Sequence, residues 1–398
     1  MFQKDSDLLV SLHDTYHVIF VDVDISVDPY LFAQTIAQTY SSGKTQIAGT
    51  LAITDEASVV SAYVSQFLNL SAPSPNSIFN AQNKYAFTQT VSRIAAHLLP
   101  PTKLIDATSQ KVSLSYPIFI KPVYGVASQH AFTIASQKEL HHVLSTHVYT
   151  NQTTYDWYDQ FYKRESPDHF STSVSYLAQP LITGKQYTVD GFVYQNAVTI
   201  LGYTESILTP DAKSFARFDY PANLPWHQTD EIEAFLQIYV RKTHYNNAGF
   251  NLEFFITEQN EVKIIEFNTR ISSQFIPLFK SQYEMSVPMM MAQLACGTYP
   301  NITKKKIFNC TSSLVYRESE DKNVLTVPTQ DQIHTLYTSN PHLLHIDILV
   351  KEATKLSDYR QDSYSFRYAK VAIGADTREE ILTIAKDLTP QKLGITLR

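Results

Sequence analysis

The sequence predicts a mixed α/β and α+β protein built from two or three domains. Its 398 residues exceed the length of one ordinary domain. A hydrophobic content of 44% and a charged content of 18% are enough for a large buried core. Strand-like and helix-like segments alternate near the N-terminus, and short strands follow in the second half of the chain.

The first 78 residues predict a small parallel α/β unit. Apolar strands over residues 17–22 and 46–53 alternate with amphipathic helices over 29–40 and 57–69. Alternation of strand and helix is the pattern of a parallel sheet covered by helices.

A β-hairpin over residues 251–270 dominates the middle of the chain. Apolar residues recur at every second position in both halves, and a polar turn separates the halves. If a four-residue loop closes the hairpin, Thr257 faces Val262. The same register places Glu253 directly opposite Glu266.

The facing acids of this hairpin suggest a metal site. Like charges opposite each other on one sheet face are destabilising unless something neutralises them. Glu253, Glu266 and the amide oxygen of Asn268, which faces Asn251, are hard oxygen ligands suited to magnesium. The alternative, if the hairpin is read alone, is an ordinary solvent-facing hairpin with a charged rim.

Two lysines lie where a point charge can reach a phosphate. Lys121 ends an apolar strand and is followed by a loop that contains Gly125 and Ser128, whose backbone amides could add donors. Lys84 stands near the start of a helix over 83–93. An ordinary hairpin with a capping lysine and a solvated helix lysine are the alternatives for these two positions.

Three further segments carry specific expectations. The polar and aromatic stretch 150–173 predicts an inserted loop or lid, or else a partner surface. The irregular stretch 206–225 contains Lys213 and Arg217. From about residue 302, short strands and a late helix predict a C-terminal α+β cap.

Composition argues against several classes of protein. A net charge of −6 is not that of a general nucleic-acid or membrane-surface binder. Cys296 and Cys310 do not make a disulfide framework, which favours a reducing compartment. Neither a signal peptide nor an apolar run of membrane-spanning length is evident. We therefore expect a cytoplasmic protein.

In their order and spacing, these pieces resemble the ATP-grasp superfamily over roughly residues 15–390. The segment Glu-Phe-Asn-Thr-Arg at 266–270 looks like the family's Glu-x-Asn-x-Arg motif. Glu253 stands where the family has its other metal ligand. The similarity is to the carboxylate–amine ligases, the branch of L-amino-acid ligases and biotin carboxylases.

The resemblance implies a domain plan. It implies an ATP-grasp fold with an N-terminal parallel α/β domain at 1–78 and a nucleotide-binding and catalytic domain at 79–300. A lid subdomain would span about 112–185, and a C-terminal α+β cap would span 301–398.

The resemblance also implies roles for individual residues. Glu253, Glu266 and Asn268 would hold two Mg²⁺ ions, with Mn²⁺ as a substitute, against the phosphates of ATP. Arg270 would act at the carboxyl–phosphate end of the reaction. Apart from the resemblance, we expect Lys213 and Arg217 to lie on a mobile loop that closes on the triphosphate and to take part in catalysis. The remaining implied ATP-binding residues are Lys84, Lys121, Ser128, Gln179, Ile182 and Gln186.

Three positions in the chain depart from the family pattern. Gln186 falls where the family usually has a glutamate for the ribose hydroxyls, and a neutral group makes weaker hydrogen bonds there. Ala127 and His130 stand at loop positions that are typically glycine.

The activity that the resemblance implies is ATP-dependent ligation of a carboxylate and an amine through an acyl phosphate, releasing ADP and phosphate. An amino acid or peptide is the favoured substrate, whereas a protein acceptor and a homodimer stay open. Two alternatives remain: an ATP-binding regulatory or scaffold protein without turnover, and an ATP-grasp phosphotransferase.

Overall fold

The structure is a computed structural model of the 398-residue chain. The residues that it describes are 12, 15–41, 46–106, 111–124, 130–146, 152–167, 175–211, 214–284, 286–359, 361–362 and 364–398.

Two antiparallel sheets hold the candidate residues. The smaller sheet has four strands in the order β1-β4-β2-β3. Its strands are β1 (Lys103–Asp106), β2 (Ile118–Pro122), β3 (Phe132–Ile134) and β4 (Ser175–Pro180).

The larger sheet has eight strands in the order β12-β13-β10-β7-β6-β5-β8-β9. Its strands are β5 (Gly184–Tyr194), β6 (Ala197–Leu208), β7 (Phe215–Tyr220), β8 (Ala248–Thr257), β9 (Val262–Asn268), β10 (Cys310–Glu318), β12 (Leu343–Ile348) and β13 (Phe366–Ala375). A separate pair joins β11 (Val324–Thr326) to β14 (Thr396–Leu397).

Helices cover these sheets. Their bounds are α1 (Pro29–Ser41), α2 (Asp55–Leu68), α3 (Pro75–Gln82), α4 (Lys84–Ala95), α5 (Gln137–Thr146), α6 (Gln152–Glu165), α7 (Trp226–Thr243), α8 (Ile276–Lys280), α9 (Val287–Ala295), α10 (Gln330–Ser339) and α11 (Arg378–Asp387).

Two helix starts position groups of the candidate site. The Thr54 side chain accepts a hydrogen bond from the amide of Ala57, so α2 begins at Asp55. The Asn83 side chain accepts from the two amides that follow Lys84, so α4 begins at that lysine. Both starts follow from the capping residue that precedes them in the sequence.

The two predicted N-terminal strands do not form. The helices of this unit are present, but residues 17–22 and 46–53 make no strand in the structure. Residues 46–53 lie against helix α2 instead, where the Thr50 hydroxyl is 2.7 Å from that of Ser61 and 2.6 Å from that of Ser65. A run of apolar residues forms a strand only if a neighbouring strand offers backbone hydrogen bonds, and no strand of the described residues pairs with this segment.

Two expectations for the second half of the chain also change. The stretch 206–225, predicted as irregular, contains the end of β6 and all of β7. Strands β10, β12 and β13 continue the large sheet, so the predicted boundary at residue 300 falls between strands of one sheet. The local patterns of strand and turn do not reveal which distant strand will pair with which.

The described part of the aromatic stretch predicted as a loop, lid or partner surface contains a helix packed into the core. In α6, the side chains of Trp157, Tyr158 and Phe161 are at most 1% exposed. Tyr158 stacks on Tyr124, with ring centroids 3.6 Å apart. The aromatic face of the helix is therefore part of the main hydrophobic core rather than an exposed surface.

Candidate active site

The site is built on the β8–β9 hairpin. The predicted pairs Glu253 with Glu266 and Asn251 with Asn268 are confirmed by the strand register. The opposite face of the hairpin is buried in the core, and this fixes which face carries the polar residues. The buried residues of that face are Leu252, Phe254, Ile264 and Phe267.

The predicted pairing of Thr257 with Val262 is wrong. Val262 pairs with Ile256, because the register near the turn is shifted by one residue and the turn contains Asn260 with a left-handed φ of 62°. A β-bulge at Ile265 takes up the extra residue. Without that bulge, the register set by the turn would place Ile265, not Glu266, opposite Glu253.

Two lysine side chains converge on the facing acids. Lys84 Nζ lies 3.1 Å from Glu266 Oε2. Lys121 Nζ donates to the backbone oxygen of the bulged Ile265 at 3.1 Å. Both lysines are buried, at 9% and 5% exposure, so their positive charges are held inside the site.

Burial and neighbouring charges shift the pKa values of the two acids in opposite directions. Desolvation, with the charge of Glu266, raises the pKa of Glu253 to about 8. Burial also acts to raise the pKa of Glu266, but Lys84 and Lys121 outweigh it and lower that pKa. Burial lowers the pKa of Lys121 to about 8, against the opposing effect of Glu266. Without a further cation, the pair therefore favours one carboxylate and one carboxyl group.

Amide side chains occupy both oxygens of Glu253. Gln186 Nε2 donates to Oε2 at 3.1 Å, and Asn268 Nδ2 donates to Oε1 at 3.3 Å. The resemblance implies that Gln186 binds the ribose of ATP, and in this structure it contacts the candidate metal ligand instead.

Arg270 ends the hairpin in a two-point ion pair with Asp55. Its Nε lies 3.1 Å from Oδ1, and its second terminal nitrogen donates to Oδ2 at 3.3 Å. Gln82 ties the same region together, since its Nε2 donates to the hydroxyl of Thr269 at 2.8 Å and to the Asp55 backbone oxygen at 2.9 Å. A small cavity opens between these groups and is lined by Asp55, Ala81, Gln82, Lys84, Tyr124, Glu266, Phe267 and Asn268.

Sequence reasoning missed two acids of this region, Asp55 and Asp190. Asp55 follows a capping threonine, and that context indicates only a helix start. Asp190 is fully buried in β5, where Ser272 and Asn251 donate to its two oxygens at 3.0 and 2.8 Å. The position of Asp190 inside an apolar strand could have indicated a buried polar site, because a buried carboxylate needs hydrogen-bond partners.

The predicted adenine-binding residues lie on the small sheet and the segment after it. Gln179, on β4, is 4% exposed, and its Nε2 donates to the Thr102 hydroxyl at 2.9 Å. Ile182 is half-buried between β4 and β5. Their proposed contact with adenine stays a prediction.

Arg217 is not brought to the facing acids. It lies in strand β7, and its Nε contacts both oxygens of Asp219 at 3.1 Å. Its neighbour Phe218 pairs with Ser206, which pairs with Gln186. Because side chains alternate along a strand, Arg217 is on the sheet face opposite Gln186. The predicted closing loop therefore does not include Arg217.

Two predicted site residues, Ser128 and Lys213, lie outside the residues that the structure describes. The roles of Ser128 in binding ATP and of Lys213 on a loop that closes on the triphosphate remain predictions.

The donor set fits magnesium. Within the described ranges, no group of three or more His, Cys, Asp or Glu side chains is arranged to hold a metal ion. Glu253 and Glu266 offer two carboxylates and Asn268 an amide oxygen, and the register places them side by side. Magnesium in phosphate-transfer sites commonly uses one or two carboxylates and takes its other ligands from phosphate and water.

Comparison with known proteins now identifies the region around this hairpin. Residues 114–277, which include Lys121, Glu253, Glu266 and Arg270, match the family model for the ATP-grasp domain. This part of the chain is similar to an ATP-grasp domain. No curated protein is detectably similar to the chain in sequence.

Solved structures share this ATP-grasp fold over nearly the whole chain. An L-amino acid ligase from Bacillus licheniformis has a TM-score of 0.71 at 14% identity, covering 94% of this chain and 86% of the ligase. An N5-carboxyaminoimidazole synthetase from Staphylococcus aureus, complexed with ADP, has a TM-score of 0.62 at 12% identity, with coverages of 92% and 85%.

A third similar structure contains a nucleotide with its metal. The biotin carboxylase domain of the 2-oxoglutarate carboxylase from Hydrogenobacter thermophilus, in complex with MgADP, ADP and bicarbonate, has a TM-score of 0.60 at 13% identity. The match covers 95% of this chain and 81% of that one. At such low identities, these matches show a shared fold and no more.

Within the described part of the chain, no helix combines the length and apolar character needed to cross a membrane.

Proposed function

We propose that this protein is an ATP- and magnesium-dependent ligase that joins a carboxylate to an amine and releases ADP and phosphate. The observation that carries the proposal is the Glu253–Glu266 pair, held in register by the bulge at Ile265 with Lys84 and Lys121 beside it. Structural similarity to an L-amino acid ligase supports an amino acid or a peptide as the carboxylate.

Glu253, Glu266 and Asn268 would hold the metal. Magnesium, when bound, neutralises phosphate charge as it builds up during transfer. Its arrival would also favour the ionised form of Glu253, which burial and Glu266 now disfavour.

The positive side chains would bind the anionic substrates. Lys84 and Lys121 would contact the phosphates of ATP, and Arg270 would hold the substrate carboxylate or the acyl phosphate. A guanidinium suits this last role because it can donate two parallel hydrogen bonds to a planar carboxylate. Arg270 already pairs with a carboxylate, because it donates one hydrogen bond to Asp55 and its Nε lies 3.1 Å from the other oxygen. Gln179 and Ile182 would face adenine, with Gln186 near the ribose.

The reaction has two displacement steps. A carboxylate oxygen attacks the γ-phosphorus, the bond from that phosphorus to the β,γ-bridging oxygen breaks, and ADP leaves. The amine nitrogen then attacks the acyl carbon of the acyl phosphate, its C–O bond breaks, and phosphate leaves as the nitrogen loses a proton. Closure around these groups would exclude water, which otherwise hydrolyses the acyl phosphate.

One observation favours a second candidate, a nucleotide-binding protein without turnover. Gln186 and Asn268 donate hydrogen bonds to both oxygens of Glu253, so this acid is occupied by neutral partners in the ligand-free fold. Binding of ATP without production of ADP would favour this candidate over the ligase.

The test is a screen of paired amino acids for ADP release in the presence of ATP and Mg²⁺, with mass spectrometry of each positive pair. We expect at least one pair to give ADP, phosphate and a product whose mass is the sum of the two substrates minus water. A phosphorylated acceptor instead of an amide would identify a phosphotransferase. Nucleotide binding with no ADP from any pair would count against the ligase.

A further inference from the structure

A buried acid and two amides form a hydrogen-bonded chain behind the proposed metal ligands. Asn251 Nδ2 donates to Asp190 Oδ2 at 2.8 Å. Asn268 Nδ2 donates to Asn251 Oδ1 at 3.2 Å. The other oxygen of Asp190 accepts from the backbone amide of Ser272 at 3.0 Å. Asp190 and Asn251 are 0% and 2% exposed, so water does not substitute for these contacts.

Each hydrogen bond between these side chains has a fixed donor and a fixed acceptor. A backbone amide can only donate, so Ser272 needs an acceptor on Asp190, and when Asp190 is ionised its second oxygen is likewise an acceptor. Asn251 must therefore turn its NH₂ group to Asp190 and its oxygen to Asn268. That oxygen binds the NH₂ group of Asn268, which leaves the Asn268 carbonyl oxygen as the atom not used by the chain.

We propose that Asp190 is a positioning residue that, through Asn251, orients the Asn268 side chain so that its oxygen, not its NH₂ group, is available to a divalent cation. This inference rests on the proposed metal site. Magnesium prefers oxygen ligands, so a flipped amide would remove a ligand and place a donor against a cation.

When the metal binds, Asn251 is the residue that accepts the hydrogen bond from the Asn268 NH₂ group. Asn268 Nδ2 also lies 3.3 Å from Glu253 Oε1, but that oxygen belongs to a proposed metal ligand. Asn251 lies outside the proposed ligand set, so its contact with Asn268 does not compete with the cation. Ser272 adds a second link, because it joins Asp190 to the segment that follows Arg270.

The substitution Asp190→Asn tests the polarity. The new side chain has one oxygen and one NH₂ group but still faces the fixed Ser272 donor. Its oxygen must serve Ser272, so its NH₂ group faces Asn251 and turns that amide around. Asn251 then presents NH₂ to Asn268, and the orientation of Asn268 reverses.

Exchanging the residues at positions 190 and 251 should restore the wild-type orientation of Asn268. In Asp190→Asn with Asn251→Asp, the NH₂ group at position 190 donates to one carboxylate oxygen at 251. The other carboxylate oxygen at 251 accepts from Asn268, as the Asn251 oxygen does in the wild type. The net charge and the side-chain volumes are unchanged, so the exchange restores the donor and acceptor order without altering either.

The readout is Mn²⁺ affinity in the presence of ADP, from the electron paramagnetic resonance signal of free Mn²⁺. The pH is kept about two units above the Asp190 pKa, which burial raises to about 7, so that the carboxylate is ionised. We expect Asp190→Asn to weaken Mn²⁺ binding by about 10-fold or more, since loss of an outer partner typically costs about 10–100-fold. The double exchange should return to within about threefold of the wild type.

Thr204→Val is the matched control, a buried isosteric change on the neighbouring strand β6 that should leave Mn²⁺ affinity unchanged. An Asp190→Asn protein that binds Mn²⁺ like the wild type would overturn the inference, as would a folded double exchange that shows no rescue. If Asp190→Asn does not fold, Asn251→Leu serves as the test. This change removes the acceptor of Asn268 and should weaken Mn²⁺ binding equally. Unchanged Mn²⁺ affinity in that variant would overturn the inference. A wild type that binds no Mn²⁺ with ADP would instead reject the proposed metal site.

Discussion

Glu253 and Glu266 face each other across one hairpin, yet their surroundings differ. Glu266 contacts a lysine ammonium at 3.1 Å, whereas the hydrogen-bond partners of Glu253 are two neutral amides. At the scale of single residues, Glu266 is therefore the more readily ionised member of the pair, because Lys84 and Lys121 outweigh burial and lower its pKa. Glu253 is the member whose charge depends on what binds.

ADP production should be sensitive to loss of the Glu266 charge. Glu266→Gln keeps the size of the side chain but removes a metal ligand and the partner of Lys84. We expect ADP production to fall by about 100-fold or more, since a bound metal supplies several kcal/mol of charge stabilisation. Glu261→Gln, an exposed change in the turn of the same hairpin, is the control and should keep full turnover. Full turnover in Glu266→Gln would refute its assignment as a ligand.

Glu253 should make ligand-free stability depend on pH. Its pKa is raised from 4.5 to about 8, so between these values the folded protein holds a proton that the unfolded chain has released. Raising the pH through this window therefore destabilises the fold. We expect the Tm of Glu253→Gln, relative to the wild type, to increase between about pH 5 and pH 8 in the absence of nucleotide and metal. A difference in Tm that stays constant over this range would contradict the raised pKa.

At the scale of elements, alternation predicted the hairpin and its facing acids because the buried side of each strand repeats every second residue. The bulge at Ile265 was not predictable, since it carries no glycine and its neighbours are all apolar or charged in the expected pattern. The register near the acids and the register near the turn differ by one residue. The prediction succeeded at Glu253 and failed at Thr257 for this reason.

Other elements show the same division between local and distant information. Helices α2 and α4 begin at Asp55 and Lys84, close to the predicted starts at residues 57 and 83. The strand over 46–53 failed because its backbone depends on a partner strand that the described part of the chain does not provide. The place of Arg217 depended on the pairing of β7, which joins two distant parts of the chain. Local chemistry was therefore predictable, and long-range pairing was not.

Helix α6 offers a test at this scale, because the two tryptophans of the chain lie in opposite environments. Trp157 is 1% exposed in the core, and Trp226 is 75% exposed at the start of α7. We expect Trp157→Ala to lower the free energy of unfolding by about 3 kcal/mol or more. Trp226→Ala should change it by less than about 0.5 kcal/mol. Denaturant titration followed by circular dichroism measures both. Equal effects would contradict the burial of α6.

At the scale of the whole molecule, separate parts of the chain meet at the site. Asp55 brings the N-terminal helices to Arg270. Lys121 brings the small sheet to the hairpin of the large sheet. Tyr124, just after β2, donates to Glu56 at 3.2 Å and stacks on Tyr158 of α6. A ligand that binds between these parts contacts all of them at once.

This convergence predicts that nucleotide and metal stabilise the molecule as a unit. A ligand that binds only the folded state adds about 2.7 kcal/mol at a concentration about 100 times its Kd. We expect MgADP to raise the Tm of the main calorimetric transition, and ADP with EDTA to raise it less, because the acids and lysines act together only with the cation present. Glu266→Gln should lose the increment that depends on Mg²⁺ and keep part of the ADP effect. If the N-terminal helices unfolded in an earlier transition that MgADP left unmoved, Asp55 would not couple them to the site. The ion pair with Arg270 would then be a local contact rather than a link between the parts of the molecule.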